Sequence, residues 1–147
     1  MFCIFGVTKP ILIVEAPYTI VLIDDDLDDI ELFKEALHEV SSSTQFLFFQ
    51  EFVSTYKFLT NEKSPVPGLI FIDLNLRIAS GMDYIKSIKK ITRVSASRIL
   101  LYTTTLTSEA EEEAMALNVY RCIQKPNSYS KLLYLIREIM DELSNEL

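Results

Sequence analysis

Short apolar runs alternate with longer stretches in which apolar residues recur at helical spacing. Residues 19–23 form a β-branched and leucine run that stops at Asp24-Asp25-Asp26, which predicts a buried strand ending at a polar edge. After it, Ile30, Phe33, Leu37 and Val40 mark one face of a helix, widened by Leu32 and Ala36. Residues 46–49 predict a second strand, followed by a short helix capped by Ser54 and presenting Tyr56, Phe58 and Leu59. Pro65, Pro67 and Gly68 interrupt the chain before a third buried run, 69–72, that ends in Asp73. A helix with Met82, Ile85, Ile88 and Ile91 on one face comes next. Residues 98–102 make the fourth strand, ending in Thr103-Thr104-Thr105. Ser108 caps a helix opening with Glu109 and Glu111 to Glu113, and Asn118 suits a left-handed C-cap. Residues 120–124 make the fifth strand, ending in Lys125-Pro126, and Ser128 starts a last helix that buries Leu132, Leu133, Leu135, Ile136, Ile139 and Leu143. Five strands alternating with five helices predict an α/β fold: a doubly wound five-stranded parallel sheet covered on both faces and joined by right-handed crossovers.

Composition narrows the class. At 147 residues, 49% apolar and 24% charged, the chain has the make-up of one globular domain with a packed core. A net charge of −7 and no basic run longer than Lys89-Lys90 exclude a nucleic-acid backbone binder. Cys3, Cys122 and the lone His38 supply neither a disulfide framework nor a zinc site, which fits a reducing, cytoplasmic compartment. Cys122 reads as a small core residue and His38 as a surface helix residue. Met82, Met115 and Met140 read as core filler. Residues 1–18 read as an N-terminal extension of unknown role ahead of a domain spanning 19–147. Its apolar start lacks a basic n-region and is broken by Lys9-Pro10, and no stretch reaches the roughly 20 apolar residues of a membrane span.

In open parallel sheets, ligands bind beyond the carboxyl ends of the strands. Those ends collect Asp24, Asp25, Asp73, Thr103 and Lys125 at one edge. Gathered carboxylates repel one another and call for a divalent cation, and an all-oxygen donor set points to Mg2+. Asp24 and Asp25 are its natural anchors. Asp73, between that metal edge and Lys125, can attack phosphorus while cations neutralise the transferring group, and Thr103 can hydrogen-bond a phosphoryl oxygen. Taken singly, each residue has a plainer reading: the aspartates as a solvated loop and helix cap, Lys125 as a strand-end cap, the threonines as β-formers. The set carries the chemistry.

The segments IVLIDDD, LIFIDLNL, ILLYTTT and IQKP resemble the receiver domain of two-component response regulators, a CheY-like, flavodoxin-like fold, over about residues 19–143. The resemblance implies a stand-alone receiver with Asp73 as phosphoacceptor and Asp24 and Asp25 as the metal pair. It makes Asn75 a metal ligand through its backbone carbonyl, and Thr103, Thr104 and Lys125 the phosphate-binding and switch residues. It further implies a cis bond before Pro126 and an influence of Asn75 and Thr105 on dephosphorylation. The phosphate would come from a histidine kinase or histidine phosphotransfer protein. The short tail 144–147 implies output to an unknown downstream protein in trans, with homodimerisation open and neither nucleic acid nor membrane involved. Two departures stand out: Arg77-Ile78-Ala79-Ser80-Gly81 keeps only the glycine of the family's loop, and Cys122 replaces a switch aromatic, with Tyr102 and Tyr120 nearby on adjacent strand positions. Two rival readings are a phosphorylation-independent binding module and an aspartyl-nucleophile phosphatase. The latter would want a second acid where Asn75 stands. Enzymatic turnover of a separate substrate is not expected.

Overall fold

In a computed structural model, which describes residues 18–146, the five strands lie in one parallel sheet of order β2-β1-β3-β4-β5. The strands are β1 (Thr19–Ile23), β2 (Gln45–Phe49), β3 (Leu69–Ile72), β4 (Arg98–Thr103) and β5 (Arg121–Gln124). The helices are α1 (Leu27–Val40), α2 (Phe52–Thr60), α3 (Gly81–Lys89), α4 (Ser108–Ala116) and α5 (Tyr129–Asn145), with a 3-10 turn at Thr92–Val94 between α3 and β4. Buried on both faces, β1 and β3 need no alternation of apolar and polar residues, which is why they read as unbroken apolar runs.

The two faces carry different helices. Ile30, Phe33 and Leu37 of α1 and Leu132, Ile136 and Ile139 of α5 pack with Leu22, Phe71 and Tyr102 on one side. Leu59 of α2, Ile85 and Ile88 of α3 and Ala114 of α4 pack with Val21, Ile70 and Leu101 on the other. The chain order winds one way from β1 to β2 and the other way from β1 to β3, so the direction reverses between β1 and β3. A crevice opens at the carboxyl ends on either side of such a reversal.

Local details correct several expectations. Glu51, not Ser54, is the N-cap of α2 and makes no side-chain cap bond; the Ser54 hydroxyl instead donates to the Glu51 carbonyl at 3.3 Å. Thr107, not Ser108, caps α4, accepting from the Ala110 N–H at 3.1 Å. Leu32 and Tyr56 lie exposed off the helical stripes, and Met115 is 51% exposed rather than core filler. The short α4 faces the core through Ala110 and Ala114, which leaves Met115 to solvent. Asn118 does take the left-handed conformation, with φ of 60°. The expected extension lies outside the described residues except for its last residue, Tyr18, which packs onto the domain. Its carbonyl accepts from Gln45 N–H at 2.8 Å, and its ring sits so close to Gly68 that a Cβ there would fall 2.0 Å away.

Phe33 joins the layers on the α1 and α5 side. Its ring is 5.6 Å from Phe46, 5.0 Å from Phe71 and 5.6 Å from Tyr102, all centroid to centroid. Phe33→Ala would remove all three aromatic contacts and leave a cavity. The expected loss is about 3–5 kcal/mol, read as a lower midpoint in urea unfolding with an unchanged denaturant slope.

Candidate functional site

The backbone ladder aligns the site's side chains before they meet. Ile23 of β1 pairs with Ile72 of β3, and one residue further the Asp73 N–H donates to the Ile23 carbonyl at 2.9 Å. Asp24 N–H donates to Phe49 O at 3.1 Å, and Lys125 N–H to Thr103 O at 2.7 Å. Asp24 and Asp73 therefore leave neighbouring strands at one level, and Lys125, two residues past that level at the end of β5, reaches back to them with its long side chain. Their convergence is a consequence of register.

At the centre the Lys125 ammonium, on a side chain only 8% exposed, donates to three carboxylates: Asp24 Oδ2 at 2.7 Å, Asp29 Oδ2 at 2.7 Å and Asp73 Oδ2 at 3.1 Å. The Tyr102 ring lies beneath it, 5.5 Å from Nζ. Burial alone would pull the ammonium's pKa down. Its bonds to Asp24 and Asp29 and the charges of Asp24 and Asp73 reverse that and hold it well above its ordinary value. Asp24 is fully buried, and burial pushes its carboxyl up to about 6 against the opposing hydrogen bond from Lys125. Burial likewise raises the Tyr102 hydroxyl.

Backbone donors hold one further oxygen each of Asp24 and Asp73, and one of Asp25. Asp24 Oδ1 accepts from Asp26 N–H at 3.0 Å, Asp73 Oδ1 from Asn75 N–H at 3.1 Å, and Asp25 Oδ2 from Arg77 N–H at 3.0 Å. The Arg77 guanidinium also approaches Asp25 at 3.7 Å, but from an 86% exposed side chain in solvent it contributes little. Asp24, Asp25 and Asp73 each offer an oxygen within 4.8 Å of the others. Three convergent carboxylate oxygens suit a hard divalent cation.

Gly81 lets the loop after β3 close on this group. A Cβ there would lie 2.3 Å from the Asp73 carbonyl oxygen, so no side chain fits, and the Gly81 N–H donates to Leu74 O at 3.0 Å. With Asn75 bridged to Ser80, the loop keeps a tight turn although glycine is all it shares with the expected pattern. Thr103 is fully buried and its hydroxyl accepts from Asn75 Nδ2 at 3.4 Å. Thr104 and Thr105 are exposed at the mouth of the site, outside this hydrogen-bonded group.

One sequence expectation needs correction, and the departure at Cys122 gains a structural description. No peptide bond among the described residues is cis, so Lys125–Pro126 takes the trans form, which X–Pro bonds favour by about 0.5–1 kcal/mol. Tyr102 and Tyr120 do not stand in for a switch aromatic: Tyr102 packs on the α1 and α5 side of β4, Tyr120 is exposed ahead of β5, and the half-buried Cys122 packs on the α4 side. Sequence reasoning missed Asp29. It reads as one more first-turn helix acid, and the strand-end pattern carries no signal for it.

A family model for the response regulator receiver domain matches residues 20–137. No curated protein matches the chain. Among solved structures, the phosphorylated cyanobacterial phytochrome response regulator RcpA is similar at 23% identity and a TM-score of 0.77, covering 86% of this chain and 93% of that one. The Mn(2+)-bound form of response regulator Rcp1 is 24% identical with a TM-score of 0.73, over 84% and 91% of the two chains. Chemotaxis protein CheY4 of Vibrio cholerae is 16% identical with a TM-score of 0.70, over 84% and 99%. At these identities they establish the shared fold.

The raised pKa of Asp24 has a definite sign. The folded chain holds this proton more tightly than the unfolded chain, so in metal-free buffer the group loses stability for the fold as pH rises from about 4 through about 6. Asp24→Asn cannot ionise. Its melting temperature should therefore gain on that of the unaltered protein by several degrees between pH 4 and pH 6, then run parallel above. A gap that does not change with pH would mean that Lys125 cancels the burial.

Proposed function

This chain belongs to the response regulator receiver domain family, and from that membership we propose that it is a phosphoacceptor of two-component phosphorelay signalling, modified on Asp73. The observation that carries the reading is the single ammonium of Lys125 shared by Asp24, Asp29 and Asp73 at the carboxyl edge of the sheet. Buried charge held this way at a strand edge marks a site with chemistry to do.

Asp73 is fixed at both oxygens, by Asn75 N–H and by Lys125, and so meets phosphorus already oriented. One carboxylate oxygen bonds to phosphorus as the phosphorus–nitrogen bond of a donor phosphohistidine breaks, its electron pair leaving with the imidazole. The product is an acyl phosphate. Lys125 neutralises charge on the phosphoryl oxygens, and Thr103 with Thr104 completes the hydrogen bonding at the end of β4. Asp24, Asp25, Asp73 and the carbonyl of Asn75 would hold Mg2+, which when bound supplies further charge neutralisation. Asn75 and Thr105 flank the path of a hydrolysing water. The donor is a histidine kinase or histidine phosphotransfer protein, and exposed Leu27 and Ile78 beside the acidic group give it apolar surface to dock on. The domain spans 19–147, acts in the cytoplasm, and signals by contact with another protein in trans rather than by turning over a substrate. No helix among the described residues is long and apolar enough to cross a membrane.

Incubation with acetyl phosphate and Mg2+ should add the mass of one phosphoryl group. Asp73→Asn should abolish the adduct and chelation of the metal should suppress it strongly. A protein that stays unmodified at every Mg2+ concentration would instead be a phosphorylation-independent binding module.

A further inference from the structure

An ammonium has three N–H donors and no more. All three of Lys125 are engaged, by Asp24 at 2.7 Å, Asp29 at 2.7 Å and Asp73 at 3.1 Å. If Lys125 is to bind a phosphoryl oxygen at Asp73, one carboxylate has to let go. Asp24 is fully buried and its other oxygen is tied to the Asp26 N–H, so its release would strand a charge away from water. Asp73 is the residue to which the phosphoryl group would be attached. Asp29 differs from both. Its side chain is 31% exposed, Lys125 is its one side-chain hydrogen-bond partner among the described residues, and it stands outside the Asp24, Asp25 and Asp73 group that converges on one point. In the first turn of α1 it can turn to water at small cost, where the helix N-terminus still favours its charge.

Building on the phosphoacceptor reading, we propose that Asp29 is the resting-state counterion of Lys125. A phosphoryl group arriving at Asp73 takes its place on the ammonium, and Asp29 thereby sets how readily the site fills. Asp29 is a positioning residue acting through Lys125. Replacing it with asparagine frees an N–H, since the neutral amide is a weaker acceptor, and lowers the negative charge that an incoming dianion meets.

The test is a titration with beryllofluoride, a phosphoryl mimic, in the presence of Mg2+, followed by nuclear magnetic resonance of protein carrying 15N-lysine. Asp29→Asn should bind the mimic several-fold more tightly than the unaltered protein, and its Lys125 ammonium signal should already be shifted before any mimic is added. Asp29→Glu, which restores the charge, should move both readouts back. A merely structural role in α1 would lower the melting temperature and leave the affinity alone. Equal or weaker binding by Asp29→Asn, with the unaltered protein binding and Asp73→Asn not, overturns the role of Asp29 and leaves the phosphoacceptor reading standing. An unaltered protein that binds no mimic overturns both. Should Asp29→Asn fail to fold, Asp29→Ser carries the same comparison.

Discussion

Everything at the carboxyl edge of the sheet depends on one ammonium holding carboxylates that would otherwise repel. Two unit charges about 4 Å apart interact by roughly 4 kcal/mol at the effective dielectric of a protein surface. Asp24 and Asp73 crowd together with burial of 0% and 5% exposure, so they lack the water that would screen them. Lys125 ties β1, β3 and α1 to the end of β5 across 101, 52 and 96 residues of chain. Such a tie is a poor way to stabilise a fold, because desolvating the charges costs about as much as their attraction returns. An apolar cluster would hold these strands as well. What it could not do is present a pre-oriented carboxylate beside a fixed cation.

The fold was legible where burial on both faces leaves one reading of a segment. β1 and β3 appear in the sequence with the boundaries they have in the structure, because central parallel strands are simply apolar until they stop. Boundaries blurred by a residue at β2, β4 and β5, where a strand end is decided by pairing with a neighbour that the local sequence does not specify. Helix caps fared worse. Thr107 and Ser108 both suit a cap, and the choice between them rests on where the chain leaves β4. Met115 failed for a related reason. α4 is nine residues long with alanine on its inner face, so spacing alone could not show which side meets the core.

The candidate site divides along the same line. Asp24, Asp25, Asp73, Thr103 and Lys125 could be placed together from sequence because each ends a strand or follows one directly, and the strand ends of a parallel sheet share an edge. Asp29 could not, since it reaches the site from a helix, and helix acids ordinarily face water near the N-terminus. Gly81 was visible as a retained glycine, but its reason is a contact: the Asp73 carbonyl lies where a side chain would begin.

The pleat of the sheet decides how a change at Asp73 can travel. Successive residues on a strand face opposite ways, so Tyr102 and Thr103 point to opposite faces of β4. Tyr102 belongs to the α1 and α5 side, wedged against Phe33 and Phe71 at 5.6 and 5.9 Å, and Thr103 belongs with Leu101 to the side carrying α4. Cys122 pairs in register with Leu101 and lies on that same side. The residue in register beside Leu101 is therefore a small thiol, and no large ring from Tyr102 or Tyr120 can swing into the space near Thr103. The Thr103 hydroxyl is joined to the Asn75 side chain, and the loop of residues 75–80 leads from there to Gly81 at the start of α3, while the Thr103 carbonyl is joined to Lys125 N–H. In this chain the side-chain contact of Thr103 thus leads into the loop after β3 and not to an aromatic on β5.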